Sequence, residues 1–313
     1  MTALTPSPRL NREARLATAD AMPQRGFFAR NRYLLARRAS QILVLALFLT
    51  GPLFGVWIAK GTIASSMTFD VLPLTDPLML VQMLAARHWP EGLALIGAVI
   101  VAVFYALVSG RTYCSWVCPI NPVTDLAFWT REKLGLQAKG WQPRPGTRHF
   151  ILAMVVVVSA LTGAIAWELV NPITMAFRAV VFGSTAALTF VAAVFLFDLF
   201  VARRGWCSHL CPVGAFYGLL GSGALLRISA GRRAACDHCM DCYGVCPEPH
   251  VISPALEGAK KGLSPVILSR DCTACGRCID VCDRHVFRFT HRFDVSETAE
   301  GGTHRSNCSG EKP

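Results

Sequence analysis

Four long apolar stretches constrain the fold of this chain more than any other feature of its sequence. Each is long enough to cross the roughly 30 Å of hydrocarbon in a bilayer as a helix, and none has a Lys or Arg near its centre. A mean hydropathy of +0.41 and 53% apolar residues are also too high for a water-soluble chain of 313 residues. The sequence therefore predicts four membrane-spanning helices, near residues 41–58, 92–110, 149–167 and 180–201.

The distribution of basic residues predicts the orientation of these helices. Of the 31 Lys and Arg residues, 28 precede residue 39, lie within 111–148 or follow residue 201. The other three, Lys60, Arg87 and Arg178, lie in the two alternate loops. The positive-inside rule then places both termini and the middle loop in the cytoplasm of a bacterial inner membrane. Topology thus explains the net charge of +11, and without a nucleic-acid motif we expect no nucleic-acid partner.

Two cysteine runs of identical spacing follow the last apolar stretch. "CDHCMDCYGVC" and "CTACGRCIDVC" both read C-x2-C-x2-C-x3-C. Thiols facing the cytoplasm stay reduced, and zinc sites favour paired C-x2-C blocks. The observed run wraps three thiolates around one [4Fe-4S] cluster and sends the fourth to a second cluster. The predicted ligands are Cys236, Cys239, Cys242 and Cys282 for one cluster, and Cys272, Cys275, Cys278 and Cys246 for the other.

A second cysteine motif occurs twice, after the second and the fourth apolar stretch. "GRTYCSWVCP" and "RRGWCSHLCP" share a basic residue, an aromatic residue and C-x3-C-P, so a unit of two spans plus one motif is repeated. The repeat predicts that Cys114, Cys118, Cys207 and Cys211 lie at one cytoplasmic interface. They could be buried small hydrophobes, a redox pair, a metal site or a docking surface, and the sequence leaves these open. Nearby positive charge predicts lowered pKa values for these thiols.

The chain divides into four predicted segments. They are a basic cytoplasmic arm (1–38), a four-helix transmembrane domain (39–227), a 2[4Fe-4S] ferredoxin-type domain (228–292) and a disordered tail (293–313) that holds Cys308. The fold class is an α-helical polytopic membrane protein with a C-terminal α+β bacterial-ferredoxin-like domain. The 25 residues between the two cysteine runs predict an inserted loop. In the loop 61–91, Pro73 and Pro77 precede either a short interfacial helix or a plain connection.

Several longer segments carry a family resemblance. "LTGPLFGVWIAKG", "CSWVCPINPVTDL", "GWCSHLCPVGAFYG", "CMDCYGVCPEPHV" and "RDCTACGRCIDVCD" resemble the NapH family, and the similarity runs from about Arg30 to about Thr290. The resemblance implies a membrane-embedded ferredoxin-type subunit of a quinol dehydrogenase. Such a subunit draws electrons from quinol in the membrane quinone pool. It passes them, with a periplasmic ferredoxin-type multi-cluster subunit, toward the periplasmic nitrate reductase system.

Related proteins of methylamine utilisation and of nitrous oxide reduction share this plan. The resemblance therefore leaves an alternative, an assembly or maturation factor that supplies electrons to a periplasmic metalloenzyme. In either case the predicted topology puts both clusters on the cytoplasmic side, opposite the acceptor. A bilayer is too thick for one direct electron transfer across it.

Overall fold

The computed structural model describes residues 26–136 and 146–294, and these are mainly helical. The first 25 residues of the predicted arm, and the predicted tail from residue 295 with Cys308, lie outside the described ranges. In chain order the α-helices are α1 Phe27–Arg30, α2 Arg32–Phe54, α3 Pro77–Ala85, α4 Gly92–Leu107, α5 Thr112–Trp116, α6 Ile120–Lys133, α7 Thr147–Thr162, α8 Pro172–Phe182, α9 Thr185–Leu196, α10 Pro212–Leu220, α11 Asp241–Val245, α12 Ser253–Leu256 and α13 Arg277–Val281.

Helix α2 is the one helix of the described ranges that is long and apolar enough to cross a membrane. Its 23 residues correspond to about 35 Å. It begins at Arg32, not at residue 41, so the last part of the predicted arm is helical and continuous with the first span. The helix ends at Gly55, whose φ of 72° is a left-handed conformation that glycine adopts without strain.

The other predicted spans correspond to shorter apolar helices, and in the last two of them a glycine interrupts the helix inside the apolar run. Helix α7 stops at Gly163 (φ 69°). In the last run, Gly183 (φ 62°) ends α8, and α9 starts after Ser184. Helices α4 and α7 have 16 residues each, or about 24 Å. Helix α9 continues as a π-helical turn, Phe197–Val201.

The loop between α2 and α4 is more ordered than a plain connection. Its strands β1 Ala59–Gly61, β2 Ser65–Thr68 and β3 Leu72–Thr75 form an antiparallel sheet in the order β1-β2-β3. Helix α3 follows, with the Asp76 carboxylate accepting a hydrogen bond from the Leu78 amide at 3.1 Å and Pro77 in the first turn. A short helix is therefore present. Leu78 and Gln82 are fully buried, so it packs within the fold.

Two large hydrophobic cores and a small cluster of Phe48, Ala59 and Phe177 hold the described part of the chain together. The first joins α3, α4 and α6 to α7, α8, α9 and α10 and contains Tyr105, Cys118, Cys211 and Tyr217. The second lies in the C-terminal unit around Ile228, Cys278 and Val286. There β4 Leu226–Ser229 pairs antiparallel with β5 Arg288–His291, so the two ends of the unit meet. This confirms a small C-terminal unit of helices and one sheet.

The segment between the cysteine runs is part of this second core. Its buried side chains include Val251, Ile252, Ala255 and Leu256, on a short 3-10 turn and on α12. The predicted insertion is therefore a packed wall of the unit.

Candidate iron-sulfur site

Each cysteine run contributes three thiols to one cavity and the fourth to the other. Cavity A is lined by Cys246, Cys272, Cys275 and Cys278. Cavity B is lined by Cys236, Cys239, Cys242 and Cys282. The short helices α11 and α13 produce this crossing, because each ends directly before the fourth cysteine of its run. Cys246 and Cys282 then have extended backbone (ψ 131° and 104°).

The backbone of the two runs follows the same path. The second residue after the first cysteine has positive φ in both runs, at His238 (56°) and Ala274 (47°). The residue after the second cysteine does so too, at Met240 (63°) and Gly276 (73°). Three of these four are not glycine, a backbone strain that usually persists where a site requires it. At Gly276 a Cβ would lie 2.6 Å from the Tyr33 ring, so only glycine lets α2 pack there.

The two cavities suit a cluster better than a single ion. They have similar amounts of space between their atoms, about 340 Å³ and 360 Å³ with the open mouths included. Within residues 26–136 and 146–294, no three His, Cys, Asp or Glu side chains converge closely enough to hold one metal ion. Four thiols that surround a cavity, and do not converge on one position, are the arrangement that a four-iron cluster requires. The other walls are mostly apolar, with Ile228, Val251, Ile252 and Ile267 in cavity A and Leu256, Val286 and Phe287 in cavity B.

The two cavities differ in depth. Cys275 and Cys278 of cavity A are buried, whereas Cys239 of cavity B is exposed. Backbone amides approach the thiols of cavity B, at 3.4 Å from His238 N to Cys236 Sγ and 3.4 Å from Val286 N to Cys282 Sγ. Cavity A is therefore the interior site and cavity B the one near the surface.

The two C-x3-C-P motifs hold cavity A from two sides. In each motif the serine after the first cysteine donates to a carbonyl beside a cavity A cysteine. Ser115 Oγ lies 2.6 Å from the Thr273 carbonyl, and Ser208 Oγ lies 3.0 Å from the Pro247 carbonyl. Trp116 Nε1 adds a bond to the Ala274 carbonyl at 3.1 Å. The two copies of the repeated motif therefore make similar hydrogen bonds to the loops that line cavity A.

The arginine three residues before the first cysteine of each motif reaches the same unit. Arg111 Nη1 donates to the Glu248 carboxylate at 2.8 Å and to the Asp271 carbonyl at 2.7 Å. Arg204 Nη1 donates to the Val245 carbonyl at 3.1 Å. The basic residue noted in both motifs is therefore an anchor for the C-terminal unit.

A buried ion network that the sequence analysis missed surrounds Arg111. Glu248 Oε1 accepts from Arg111 Nη1 and, at 2.6 Å, from Arg148 Nη1. Arg148 also pairs with Asp271 at 2.5 Å, and Asp271 with His250 at 3.0 Å. Burial alone would raise the pKa of Asp271, but the His250 hydrogen bond and the guanidiniums hold it well below its usual value. Arg111 and Glu248 lie 137 positions apart, so no local pattern could have indicated the pair.

The four thiols of the C-x3-C-P motifs interact with one another, and Cys118 and Cys211 are buried while Cys114 and Cys207 are partly buried. Cys118 and Cys211 belong to the same hydrophobic core, and Cys207 Sγ lies 3.9 Å from Thr124 Oγ1. Burial raises the pKa of Cys211 to about 12 and raises that of Cys114, although Arg111 partly opposes it there. The prediction of lowered thiol pKa values is wrong, because burial outweighs the nearby positive charge.

Comparisons with known proteins agree with this geometry. A family model described as "4Fe-4S binding domain" matches residues 91–137 and again 184–233, in agreement with the internal repeat. A model described as "4Fe-4S dicluster domain" matches residues 235–286, which hold both cysteine runs. Iron-sulfur clusters are therefore the cofactors of this fold.

Relatives resemble the chain over nearly its whole length. Ferredoxin-type protein NapH of Haemophilus influenzae is 48% identical over 90% of this chain and 98% of the relative. NapH of Escherichia coli is 48% identical over 88% and 96%. Methylamine utilization ferredoxin-type protein MauN of Paracoccus denitrificans is 51% identical over 87% and 95%. No solved structure matches the chain significantly. The chain belongs to the NapH and MauN family of ferredoxin-type electron transport proteins.

Proposed function

We propose that this protein is the electron-transfer subunit of a membrane quinol dehydrogenase and that it holds two [4Fe-4S] clusters in crossed ligation. The observation that carries the proposal is the lining of the cavities, each of which has three thiols of one cysteine run and the fourth of the other. Cys272, Cys275, Cys278 and Cys246 hold the cluster of cavity A, and Cys236, Cys239, Cys242 and Cys282 that of cavity B.

A bound [4Fe-4S] cluster supplies reversible one-electron storage. The residues of the chain set its environment. The thiolates fix its position, and the apolar walls exclude water. The amides of His238 and Val286 donate toward thiolate sulfur in cavity B, which favours the more negative, reduced state. Two such sites match a quinol, which gives up two electrons and two protons.

Burial suggests the order of transfer. Cavity A lies against the segments that follow the apolar helices, through Ser115 and Ser208, and so it is the first acceptor from membrane quinol. Cavity B, with its exposed Cys239, exchanges electrons with partners. The bilayer is about 30 Å thick, so clusters on the cytoplasmic side do not reach a periplasmic acceptor in one step, and further carriers lie between them. A periplasmic ferredoxin-type multi-cluster subunit and the nitrate reductase system then follow.

The proposed topology has four spans, with both termini on the cytoplasmic side of the inner membrane. The uneven distribution of Lys and Arg supports it. So do large apolar side chains that are exposed on α4, α7 and α9, among them Ile96, Phe104, Phe150, Leu161 and Leu188. Exposed apolar surface of this extent calls for a lipid or protein cover. The domain boundaries are those predicted above, with the helix of the first span extending back into the arm to Arg32.

For the C-x3-C-P motifs, the contacts favour the docking alternative. The serine, arginine and tryptophan neighbours of the cysteines hold the cluster-binding loops. Cys114, Cys118, Cys207 and Cys211 fill the space behind these contacts. A redox role for the thiols would require ionisation, which their burial disfavours.

The second candidate is a maturation factor that supplies electrons to another periplasmic metalloenzyme. The sequence identity with MauN, a methylamine utilization protein, supports this candidate because it is as high as the identity with NapH. The first candidate works through the clusters and the second through the thiols of the C-x3-C-P motifs, and the two differ in the acceptor. Reduction of a periplasmic multi-cluster partner by quinol supports the dehydrogenase, whereas transfer that needs the C-x3-C-P thiols but no clusters supports the factor.

Redox-titrated EPR of the membrane-bound protein, with and without added quinol, tests the proposal. We expect roughly eight irons per chain and two cluster signals that appear on reduction by quinol. Zinc in place of iron, or clusters that stay oxidised with quinol but accept electrons from dithionite, would contradict it. Serine replacement of Cys236 and Cys272 together is the control, since it removes one ligand from each cluster.

A further inference from the structure

An arginine-rich pocket lies where α2 meets the C-terminal unit, outside both cluster cavities. It has about 820 Å³ of empty space, including its open mouth. Five arginines and two aspartates line it, which leaves three net positive charges. The arginines are Arg30, Arg37, Arg38, Arg204 and Arg277.

Several of these guanidinium groups are buried with donors unused. Among the described residues, no hydrogen-bond partner exists for Arg37 Nη1, Arg204 Nε or Arg277 Nε. The three residues are 1%, 8% and 9% exposed. Burying a cation with an open donor is costly unless something accepts from it.

The aspartates of the pocket cannot fill this need. Asp125 already pairs with Arg277 at 2.7 Å, with Arg204 at 3.4 Å and with Arg38. Asp280 accepts from the amides of Tyr33 and Leu34, at 3.3 Å and 3.0 Å. The thiolates of cavity A add negative charge beside Arg277 and Arg37, but neither they nor the two aspartates accept from the three open donors, which an anion with several oxygens could do.

We propose that this pocket binds the phosphodiester headgroup of an anionic phospholipid. Guanidinium groups match the oxygens of a phosphate in geometry and charge. The pocket lies at the first turns of α2, and beyond it Leu35, Ile42 and Leu43 are exposed along the same helix, where acyl chains can pack. The choice of a lipid over another phosphate compound rests on the proposed function, in which the start of α2 lies at the cytoplasmic surface of the membrane.

The position of the pocket gives the lipid a role in assembly. Arg277 lines both the pocket and cavity A, and Val281 lines both the pocket and cavity B. Arg38 belongs to α2, Asp125 to α6 and Arg277 to α13. A bound headgroup would therefore hold the cluster-binding unit against the helices.

Native mass spectrometry of the delipidated, iron-loaded full chain tests the proposal, with phosphatidylglycerol, phosphatidylcholine and inorganic phosphate as probes. We expect one phosphatidylglycerol per chain at low concentration and weaker binding of the other two. Arg37→Gln should weaken binding of phosphatidylglycerol roughly tenfold or more, because it removes a charge-assisted contact. Arg32→Gln is the matched control, since it removes the same charge from the same helix outside the pocket. It should change the affinity by no more than about twofold.

A second variant separates loss of lipid binding from misfolding, because Arg37 is buried and its replacement could unfold the protein. Arg30 lines the pocket but is exposed, so Arg30→Gln should keep full iron content and still weaken binding more than Arg32→Gln does. Equal effects of all three variants would overturn the proposal in favour of general surface attraction. Inorganic phosphate that binds as tightly as phosphatidylglycerol would overturn the lipid assignment. Iron content and reduction by quinol are measured separately, so failure of the proposed function is distinguishable.

Discussion

The buried contact of Glu248 with Arg111 and Arg148 offers the sharpest test of how the C-terminal unit is held. One oxygen of Glu248 accepts from both guanidiniums, at 2.8 Å and 2.6 Å, and the Glu248 side chain is only 7% exposed. Glu248→Gln keeps the shape and one acceptor oxygen but removes the charge. Two buried cations then lose their common counterion.

The expected cost follows from the burial of all three groups. Removing one partner of a buried ion pair typically costs about 3–5 kcal/mol, because it leaves an uncompensated charge. Arg148 retains Asp271 at 2.5 Å, so we expect the lower part of that range. The matched control is Glu257→Gln in the same unit. Glu257 is exposed and accepts from Tyr243 Oη at 2.9 Å, so its loss should cost about 1 kcal/mol or less.

The assay is denaturant unfolding in detergent, followed by cluster absorbance and by tryptophan fluorescence. Glu248→Gln should release the clusters at a clearly lower denaturant concentration than Glu257→Gln. A cost for Glu248→Gln as small as that of the control would refute the view that the network anchors the unit. Iron content before unfolding shows whether each variant was loaded.

Three further predictions follow. Ser115→Ala should cost about 1–3 kcal/mol by the same assay, because it leaves the Thr273 carbonyl unpaired; an unchanged midpoint would contradict the contact. Burial would raise the pKa of Asp125, but Arg277, Arg204 and Arg38 hold it at about 2, below its ordinary 3.8. Its contribution, about 2 kcal/mol, is therefore complete above about pH 4 and lost only as the pH falls toward 2. The stability difference between wild type and Asp125→Asn should thus be constant from pH 8 to pH 5, and a decline within that range would contradict it. Because burial disfavours a redox role for Cys114, Cys118, Cys207 and Cys211, each single Ser variant should keep the wild-type rate of quinol-driven partner reduction; losses in the single variants as large as in the quadruple variant would instead show one redox unit.

The cluster-binding spacing was predictable because it is local. Three ligands of each cavity lie within seven residues, as in the run from Cys236 to Cys242, and the short helix after them directs the fourth. The helix lengths were less predictable. An apolar run predicts burial in lipid or in a core, but Gly163 and Gly183 end helices inside such runs through their left-handed conformation.

The contacts between the C-x3-C-P motifs and the C-terminal cluster-binding unit could not be predicted from the sequence. Arg111 meets Glu248, and Ser115 meets Thr273, 158 positions away. These residues have no special spacing. The sequence did show a basic residue before each C-x3-C-P motif. Its role as an anchor follows only from the hydrogen bonds of Arg111 to Glu248 and of Arg204 to the Val245 carbonyl.

The crossed ligation of two clusters is the central claim, and one set of variants tests it directly. Serine at Cys236, Cys239 and Cys242 removes most ligands of cavity B and leaves the cluster of cavity A for EPR. In that background Cys246→Ser should alter the remaining signal, because Cys246 lines cavity A. Cys282→Ser should leave it unchanged, because Cys282 lines cavity B. The opposite pattern, an altered signal with Cys282→Ser and none with Cys246→Ser, would contradict the account.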